Sequence, residues 1–292
     1  MIMAQELYEK ITYREKLKSE LAGAQGPIAA ALKDVKIKIA ILSGKGGVGK
    51  TSVTVNVACV LQEKGYKVGI MDADIHGPSV PKLAGLKGRT ELKGAHGLVP
   101  VETENGIKVM SVSLFWPGEA TPVMWKGHYK ARVIRQLLAT VQWGELDYLL
   151  VDLPPGTGDE PVTIMKSIPS LDGVVVVTSP QEVSVAVCSK AINSALELGA
   201  PLLGLVENMS DFCCPHCGES ISVLGSGGGE ALARTYKIPF LGRVPLDGYA
   251  GLAADRGVPV TTEYPASPAA VALREVTQRL VKNLEERRGV VK

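Results

Sequence analysis

Gly44-Lys45-Gly46-Gly47-Val48-Gly49-Lys50-Thr51 decides the fold of this 292-residue chain. A glycine followed by four residues and then Gly-Lys-Thr is the spacing of a phosphate-binding loop. The stretch follows the apolar run Val35 to Leu42, which predicts a strand. It opens a predicted helix that runs to about Lys64 and stops at Gly65. Because a strand, a glycine-rich loop and a helix stand in the required order, the sequence predicts a phosphate-binding loop here.

The positions of this loop have separate roles in binding ATP and Mg²⁺. Glycines let backbone N–H groups point at phosphate oxygens, and the start of the helix adds partial positive charge. Lys50 neutralises phosphate charge, and the Thr51 hydroxyl is suited to ligate Mg²⁺. We therefore predict that the nucleotide-binding residues include Gly44, Gly46, Gly47, Val48, Gly49, Lys50, Thr51 and Ser52.

Acidic residues follow two further predicted strands. Asp72 and Asp74 come at the end of the run Val68 to Met71, and Asp152 lies in the run Tyr148 to Leu153. Such carboxylates hold Mg²⁺, directly or through water, or orient the attacking water. Asp152 occupies the usual Walker-B position, so we predict it as a catalytic residue and a Mg²⁺ ligand. A helix-capping role is the alternative for the first two aspartates.

The distribution of apolar runs predicts the fold class. Runs that read as strands alternate with helical stretches, which indicates an α/β protein, a P-loop NTPase with a mostly parallel sheet and helices on both faces. Val174 to Val177 shows no alternation, as expected for a central strand that is buried on both faces. We predict one P-loop ATPase domain over residues 36–292, with the cysteine motif in one of its loops. Residues 1–35 are predicted as a helical extension with a helix over residues 4–21.

Composition narrows the function classes. Hydrophobic residues make up 46% of the chain and charged residues 21%, with a formal net charge of +2. This balance argues against disorder and against a broad nucleic-acid surface. No apolar run approaches the roughly 20 residues of a membrane span, and no signal peptide is recognisable. We expect a cytoplasmic protein that binds neither nucleic acid nor membrane, with the amphipathic stretch Ala269 to Glu286 packed on the domain.

The chain has five cysteines, of which Cys213, Cys214 and Cys217 are clustered. Cys214 and Cys217 form a Cys-x-x-Cys motif, whose spacing lets two thiolates converge on one metal. A tetrahedral zinc or a four-iron cluster usually takes four ligands, so one chain supplies half a site and a symmetric dimer supplies the whole. A structural zinc that uses His216 or Cys213, a thiol-redox pair and inert cysteines are the alternatives. The other cysteines, Cys59 and Cys188, lie in predicted helices and read as small buried residues.

Lys45 gives the loop a more specific resemblance. Lys45 to Thr51 resembles the deviant P-loop of the family that includes nitrogenase iron protein, septum-site ATPases and plasmid-partition ATPases. The resemblance implies that Lys45 acts in catalysis by reaching the nucleotide phosphates of a partner subunit. The alternative is that Lys45 is an ordinary surface lysine. It also implies that Asp74 positions the attacking water. Asn208, Pro245 and Asp247 are similar to that family's adenine-contact segments.

Several motifs occur in one order that resembles the Mrp/ApbC/Nbp35 group of iron–sulfur cluster carriers over roughly residues 36–265. They are Asp74 to Ser79, Asp152 to Asp159, Ser179 to Val183, Glu207 to Ser210, the cysteine pair and Gly225 to Glu230. The resemblance implies a homodimer with a [4Fe–4S] cluster bridged by Cys214 and Cys217 of both subunits. The cluster is handed to apo iron–sulfur proteins, and slow ATP hydrolysis serves as a switch. A positioning ATPase without a cluster, and an ATPase with structural zinc at the cysteine pair, remain the alternatives.

Overall fold

The computed structural model describes residues 26–75, 77–86, 91–92, 97–115, 127–214, 217 and 219–289. The predicted helix over residues 4–21, together with His76 and His216, lies outside them. Residues 26–31 form helix α1, and Ile28 and Leu32 are buried in the same hydrophobic cluster as the sheet. The packed core therefore includes residues before the predicted domain boundary at residue 36, and that boundary stays a prediction.

Strands alternate with helices along most of the chain. The strands are β1 (Val35–Ser43), β2 (Val68–Asp72), β3 (Glu91–Leu92), β4 (Leu98–Val99), β5 (Val101–Glu102), β6 (Lys108–Ser111), β7 (Leu146–Asp152), β8 (Gly173–Thr178), β9 (Leu202–Cys213), β10 (Ser220–Ile221) and β11 (Phe240–Leu246). The helices that follow α1 are α2 (Lys50–Glu63), α3 (Val80–Leu83), α4 (Gly127–Thr140), α5 (Asp159–Ser167), α6 (Glu182–Glu197), α7 (Gly228–Tyr236), α8 (Gly248–Arg256), α9 (Val260–Glu263) and α10 (Pro268–Arg287).

The main sheet has the strand order β10-β9-β8-β1-β7-β2-β6-β5, and β11 also pairs with β9. The pairs formed by β1, β2, β7, β8, β9 and β11, and the pair β2–β6, are parallel. Strands β5 and β10 pair antiparallel with their neighbours. The predicted fold class is therefore confirmed. The parallel core brings the carboxyl ends of β1, β2 and β7 to one edge of the sheet.

Helices cover both faces of the sheet. Val174 and Val176 of β8 belong to one buried cluster, and Val175 and Val177 belong to another. Because successive side chains of a strand point to opposite faces, these clusters lie on the two sides of the sheet. The unbroken valine run of β8 is thus a central strand, as predicted.

The carboxyl-terminal helix α10 packs on the domain as predicted. Val276, Leu280 and Leu284 are buried in the cluster that also contains residues of α2 and β11. Its first residue is a proline, and the Ser267 hydroxyl caps it by accepting a hydrogen bond from the Ala270 N–H. Among the described helices, none is both long enough and apolar enough to span a bilayer.

Candidate functional site: a phosphate loop linked to a cysteine pair

The site begins where β1, β2 and β7 end side by side. The register of the sheet sets Asp72 opposite Asp152, and Ile41 of β1 opposite Asp152. The phosphate-binding loop leaves β1 immediately beyond this point and leads into α2 at Lys50. Chain segments that are far apart in sequence therefore converge at one edge, as the sequence predicted.

Glycines shape the loop by permitting backbone conformations and close contacts that other residues resist. Gly47 has a φ of 80° and Gly49 a φ of 78°, both in the left-handed region. Gly44 lies against α6, where an added Cβ would stand 2.5 Å from the backbone nitrogen of Cys188. The loop is therefore fixed by its own glycines and by the backbone of a neighbouring helix.

Asp152 is the centre of a buried polar cluster beneath the loop. Its Oδ2 accepts a hydrogen bond from Thr51 Oγ1 at 2.7 Å, and its Oδ1 accepts one from Thr54 Oγ1 at 2.7 Å. Lys50 Nζ lies 2.7 Å from Asp152 Oδ2 as an ion pair. Thr54 is a site residue that the sequence did not reveal, because its only signal was a position one helical turn after Lys50.

The Lys50 ammonium fits an incoming phosphate. Its side chain is only 6% exposed, and beyond the ion pair with Asp152 its Nζ has no hydrogen-bonding partner among the described residues. A buried cation with unused donors favours a further anionic acceptor, which phosphate oxygens supply. Thr51 Oγ1 and the Asp152 carboxylate are hard oxygen donors in direct contact, which is the ligand chemistry that Mg²⁺ prefers.

Asp72 is buried beside this cluster. Its carboxylate accepts hydrogen bonds from Ser111 Oγ at 3.0 Å, from the Asp74 N–H at 3.2 Å and from the Val80 N–H at 3.3 Å. Burial, followed by the negative charge of Asp152, raises the pKa of Asp72 to about 8. Val80 is the first residue of α3, but the N-cap position of this helix is Ser79, so Asp72 contacts the start of the helix without being its N-cap residue.

A cavity of about 310 Å³ opens above the loop. Asp74 lines it, and the Asp74 side chain also accepts a hydrogen bond from the Gly77 N–H at 3.2 Å. The cavity is lined by Ser43, Lys45, Gly46, Gly47, Val48, Gly49, Lys50, Thr51, Ser52, Asp74, Gly77, Ser79, Leu83 and Pro155. The predicted nucleotide-binding residues of the loop therefore line one cavity, except Gly44. Residues that were not predicted to bind nucleotide also line it, namely Ser43, Gly77, Ser79, Leu83 and Pro155.

Lys45 lines the same cavity and lies next to a second motif. Its Nζ is 3.4 Å from Oε1 of Gln181, which precedes α6. The side chain is half-buried. The role of Lys45 toward a partner subunit stays a prediction.

The three residues predicted to contact adenine are outside the lining of this cavity. Asn208 Nδ2 donates to the Val48 carbonyl of the loop at 2.9 Å. Asp247 caps α8 by accepting from the Tyr249 N–H at 2.9 Å, and its other oxygen accepts from the Ala269 N–H. Pro245 pairs with β9. Asn208 and Asp247 thus have structural partners, and the adenine contact stays a prediction.

The cysteine pair lies at the turn between β9 and β10. Cys214 follows β9 and is half-buried, and its N–H donates to the Glu219 carbonyl at 2.9 Å. Cys217 is exposed. In contrast, Cys59 and Cys188 are buried as predicted, and burial raises the pKa of each thiol to about 12. Cys214 and Cys217 are therefore the accessible thiols among the four described.

The described part of one chain does not contain a complete metal site. No three His, Cys, Asp or Glu side chains within it lie close enough to share a metal ion. The soft thiolates of Cys214 and Cys217 suit zinc or an iron–sulfur cluster. The Cys213 side chain and His216, which the zinc alternative would use, are outside the described residues.

Glu207 is a further site residue, and no role was predicted for it from the sequence. It is fully buried in β9, and its carboxylate accepts hydrogen bonds from the N–H groups of Gly227 and Gly229. These glycines belong to the glycine loop, Gly225 to Gly229, which opens α7. The available signal was an acidic residue at the end of an apolar strand, with a glycine run some 20 residues later.

Comparisons with known proteins agree with this geometry. Residues 34–281 match the family described as ParA, the NUBPL iron-transfer P-loop NTPase. An iron–sulfur cluster carrier protein of Methanocaldococcus jannaschii is 47% identical over 269 residues, covering 92% of each chain. A cytosolic Fe–S cluster assembly factor, the NUBP2 homologue of Dictyostelium discoideum, is 41% identical, covering 82% of this chain and 92% of its own.

Solved structures give the same result. A nucleotide-binding protein of Archaeoglobus fulgidus in complex with ADP has a TM-score of 0.70 and 44% identity, covering 80% of this chain and 91% of its own. The cell-division ATPase MinD of Pyrococcus furiosus has a TM-score of 0.61 at 23% identity, covering 85% of this chain and 99% of its own, and it shares the fold. The match over residues 34–281 covers most of the sequence, so the chain belongs to the NUBPL iron-transfer P-loop NTPase family.

Proposed function

We propose that this protein is an ATP-hydrolysing carrier that binds an iron–sulfur cluster at Cys214 and Cys217 and delivers it to apo iron–sulfur proteins. The observation that carries the proposal is the link between the two sites through one strand. Asn208 of β9 is hydrogen-bonded to the phosphate-binding loop, and β9 ends at the cysteine turn. The names of the archaeal and amoebal relatives support the same function.

On the nucleotide side, each residue of the site has its own role in binding or hydrolysis. Lys50 holds a phosphate oxygen with the donors that its ion pair to Asp152 leaves unused. Thr51 and Asp152 would hold Mg²⁺, which neutralises phosphate charge. Asp74 orients the attacking water from its place in the cavity. The ADP complex of the archaeal relative supports a nucleotide in this place. Slow hydrolysis then serves as a switch.

On the cysteine side, each chain contributes two thiolates from a turn that is open to solvent. Four thiolates complete a [4Fe–4S] cluster, so the proposal includes a homodimer that holds the cluster between subunits. Lys45 would reach the partner's nucleotide in the same dimer. An exposed cluster suits transfer, because an acceptor protein can approach it directly. The cytosolic relative supports a cytoplasmic location.

The experiment is anaerobic reconstitution of the purified protein with ferrous iron and sulfide. We expect thiolate-to-iron absorption and about two iron atoms per chain, as one four-iron cluster per dimer requires. Cys214→Ala and Cys217→Ala should each abolish uptake. Cys59→Ala is the matched control, since it removes a buried thiol that lies in α2.

The alternatives give different results in the same preparation. Equal iron and sulfide uptake by the parent protein and the two turn variants would refute the carrier function. Stoichiometric zinc in protein purified without oxygen, with no iron uptake, would indicate the structural-zinc ATPase. Cysteine-independent sedimentation with lipid or DNA in the presence of ATP would indicate a positioning ATPase.

A further inference from the structure

Strand β9 contacts a different glycine-rich loop on each of its faces. Glu207 and Asn208 are consecutive, so their side chains point to opposite sides of the sheet. Asn208 donates to the Val48 carbonyl of the phosphate-binding loop at 2.9 Å. Glu207 binds the glycine loop, Gly225 to Gly229. The strand that leads to the cysteine turn is therefore held between the two loops.

The Glu207 carboxylate is fully satisfied in a buried site. Its Oε1 accepts from the Gly227 N–H at 2.9 Å and from Ser210 Oγ at 2.8 Å, and its Oε2 accepts from the Gly229 N–H at 2.6 Å. Arg243 Nε lies 3.6 Å from Oε1. The carboxylate thus occupies the amino terminus of α7 as a built-in anion, where N–H groups and the helix dipole stabilise negative charge.

The same network continues toward the cysteines. Ser226 of the glycine loop donates to Asp211 Oδ2 at 2.8 Å, and Ser226 Oγ is 3.3 Å from Ser210 Oγ. Ser222, just after β10, donates to the other oxygen of Asp211. Cys214 follows Asp211 by three residues, so β9 is bonded to the glycine loop close to the cysteine turn, and the segment after β10 is bonded to the same aspartate.

Strand β9 is irregular at Met209, because its pairing with β11 shifts register between Asn208 and Ser210. Met209 has a φ of 56°, which a residue with a long side chain adopts only where its surroundings hold it. The Asn208 amide and the Met209 side chain both lie against Gly49, where an added Cβ would be 2.1 Å from Asn208 Nδ2 and 3.4 Å from Met209 Cε. A displacement of the phosphate-binding loop must therefore move these two residues or break their contacts.

We propose that Glu207 is a positioning residue, which anchors the cysteine turn to the glycine loop so that nucleotide binding at the phosphate loop changes the cysteine pair. The inference rests on the proposed function for its biological purpose. The coupling between the phosphate loop and the cysteine turn does not itself require a bound cluster. Without the hydrogen bonds of Glu207, the end of β9 would be free to rearrange. A movement that starts at Asn208 would then leave the position of Cys214 unchanged.

The test measures cysteine reactivity in protein that carries no iron. Alkylation rates of Cys214 and Cys217 by iodoacetamide are followed by peptide mass spectrometry, with and without MgADP or a non-hydrolysable ATP analogue. In the parent, nucleotide should change the Cys214 rate by on the order of tenfold, the size of one charged hydrogen bond. In Glu207→Gln only one side-chain oxygen remains as an acceptor, whereas the N–H groups of Gly227 and Gly229 bond to different oxygens of Glu207. The effect of nucleotide on the Cys214 rate should therefore fall below about twofold.

Matched variants separate anchoring from simple destabilisation. Glu230→Gln removes an ion-pairing carboxylate on the same helix, α7, and leaves both bonds from the glycine loop to Glu207 in place, so it should keep the parent ratio. Ser226→Ala removes the hydroxyl contacts to Asp211 and Ser210 and should lower the ratio without disturbing a buried charge. Nucleotide affinity, measured by fluorescence, should stay within about threefold in all three variants, since none removes a cavity residue.

Two outcomes would overturn the inference. One is a parent protein whose cysteine reactivity is unchanged by nucleotide. The other is a parent ratio that persists in folded Glu207→Gln, or in Ser226→Ala if the first variant does not fold. Loss of a residue that only stabilises the fold would change the alkylation rates with and without nucleotide equally. A changed ratio of these two rates therefore excludes a purely stabilising role. Failure of cluster binding would appear separately, as absent iron uptake by the parent.

Discussion

At the residue scale, Asp152 is a predicted Mg²⁺ ligand that is fully buried, so its carboxylate depends on partners that the protein supplies. Three cationic or hydroxyl partners, Lys50, Thr51 and Thr54, meet its two oxygens. Lys50 and Thr51 are also predicted to bind phosphate and Mg²⁺, so ligands would compete for them. Thr54 has no such predicted second role, so we expect Asp152 to keep this partner when nucleotide binds.

Thr54→Val should therefore destabilise the protein without removing a ligand-binding group. The substitution keeps the shape of the side chain but leaves Asp152 Oδ1 without its 2.7 Å hydrogen bond. We expect the free energy of unfolding to fall by about 1–3 kcal/mol, the cost of an unsatisfied buried acceptor. Chemical denaturation of the metal-free protein provides the measurement.

The matched control is Thr277→Val in α10. Thr277 is equally buried, but its hydroxyl donates only to the Leu273 carbonyl of its own helix, at 2.8 Å. That carbonyl has a helical partner as well, so the loss should be below about 1 kcal/mol. Equal losses of unfolding free energy in the two variants would show that the Thr54–Asp152 hydrogen bond contributes no more to stability than an ordinary hydroxyl contact within a helix.

At the scale of elements, the phosphate-binding loop depends on the helix beside it. Gly44 packs against the backbone of α6, and the added Cβ of an alanine would stand 2.5 Å from Cys188 N and 2.6 Å from Val187 C. Backbone atoms cannot move aside as a flexible side chain can. The loop and α6 therefore act as one packed unit, and Gln181 before α6 contacts Lys45 in the same region.

Gly44→Ala and Gly46→Ala should differ sharply in stability. An alanine at position 44 must push α6 away, and overpacking of this kind costs about 1–3 kcal/mol. At position 46 the nearest atom would be Pro155 Cγ at 3.8 Å, an ordinary contact. Thermal unfolding of the two variants without nucleotide makes the comparison. A Gly46→Ala protein that melts as low as Gly44→Ala would contradict the packing argument.

Much of this arrangement could be predicted from sequence, because its signals are local. Apolar runs predicted β1, β2, β7 and β8 to within about two residues, and the loop and its acidic partners stand in short motifs. Strand β9 runs from Leu202 to Cys213, but only its apolar run Leu202 to Val206 carries a local strand signal. The residues after Val206 are mostly polar, and pairing with β10 and β11 makes them a strand.

The remaining features depend on contacts between distant segments, which no local pattern encodes. Strand β11 contains Gly242 and Pro245, so it had no continuous apolar signal, and β6 is only four residues long. Glu207 belongs to a short motif, but its role is not encoded locally, since its partners lie 20 and 22 residues further along the chain. The Asn208 bond to Val48 spans 160 residues.

At the scale of the whole molecule, stability should depend on the protonation of Asp72. Its pKa rises from an ordinary 3.8 to about 8 in the folded state, so between these values the folded protein binds more protons than the unfolded chain. The free energy of unfolding of the metal-free protein should therefore fall as pH rises from about 4 to about 8. Asp72→Asn removes the titrating group, and the difference between the two pH profiles isolates its contribution. Profiles that stay parallel would contradict the raised pKa.

The whole molecule should also change its association state when it is loaded. If one chain supplies two thiolates, reconstitution with iron and sulfide should convert the protein to a species of twice the chain mass, and an iron chelator should reverse the change. Cys214→Ala should stay unchanged in mass under the same treatment. Lys45→Ala should still dimerise with iron, because Lys45 lies on the nucleotide cavity and not at the cysteine turn. Analytical ultracentrifugation without oxygen tests all three, and a loaded monomer would require that every cluster ligand come from one chain.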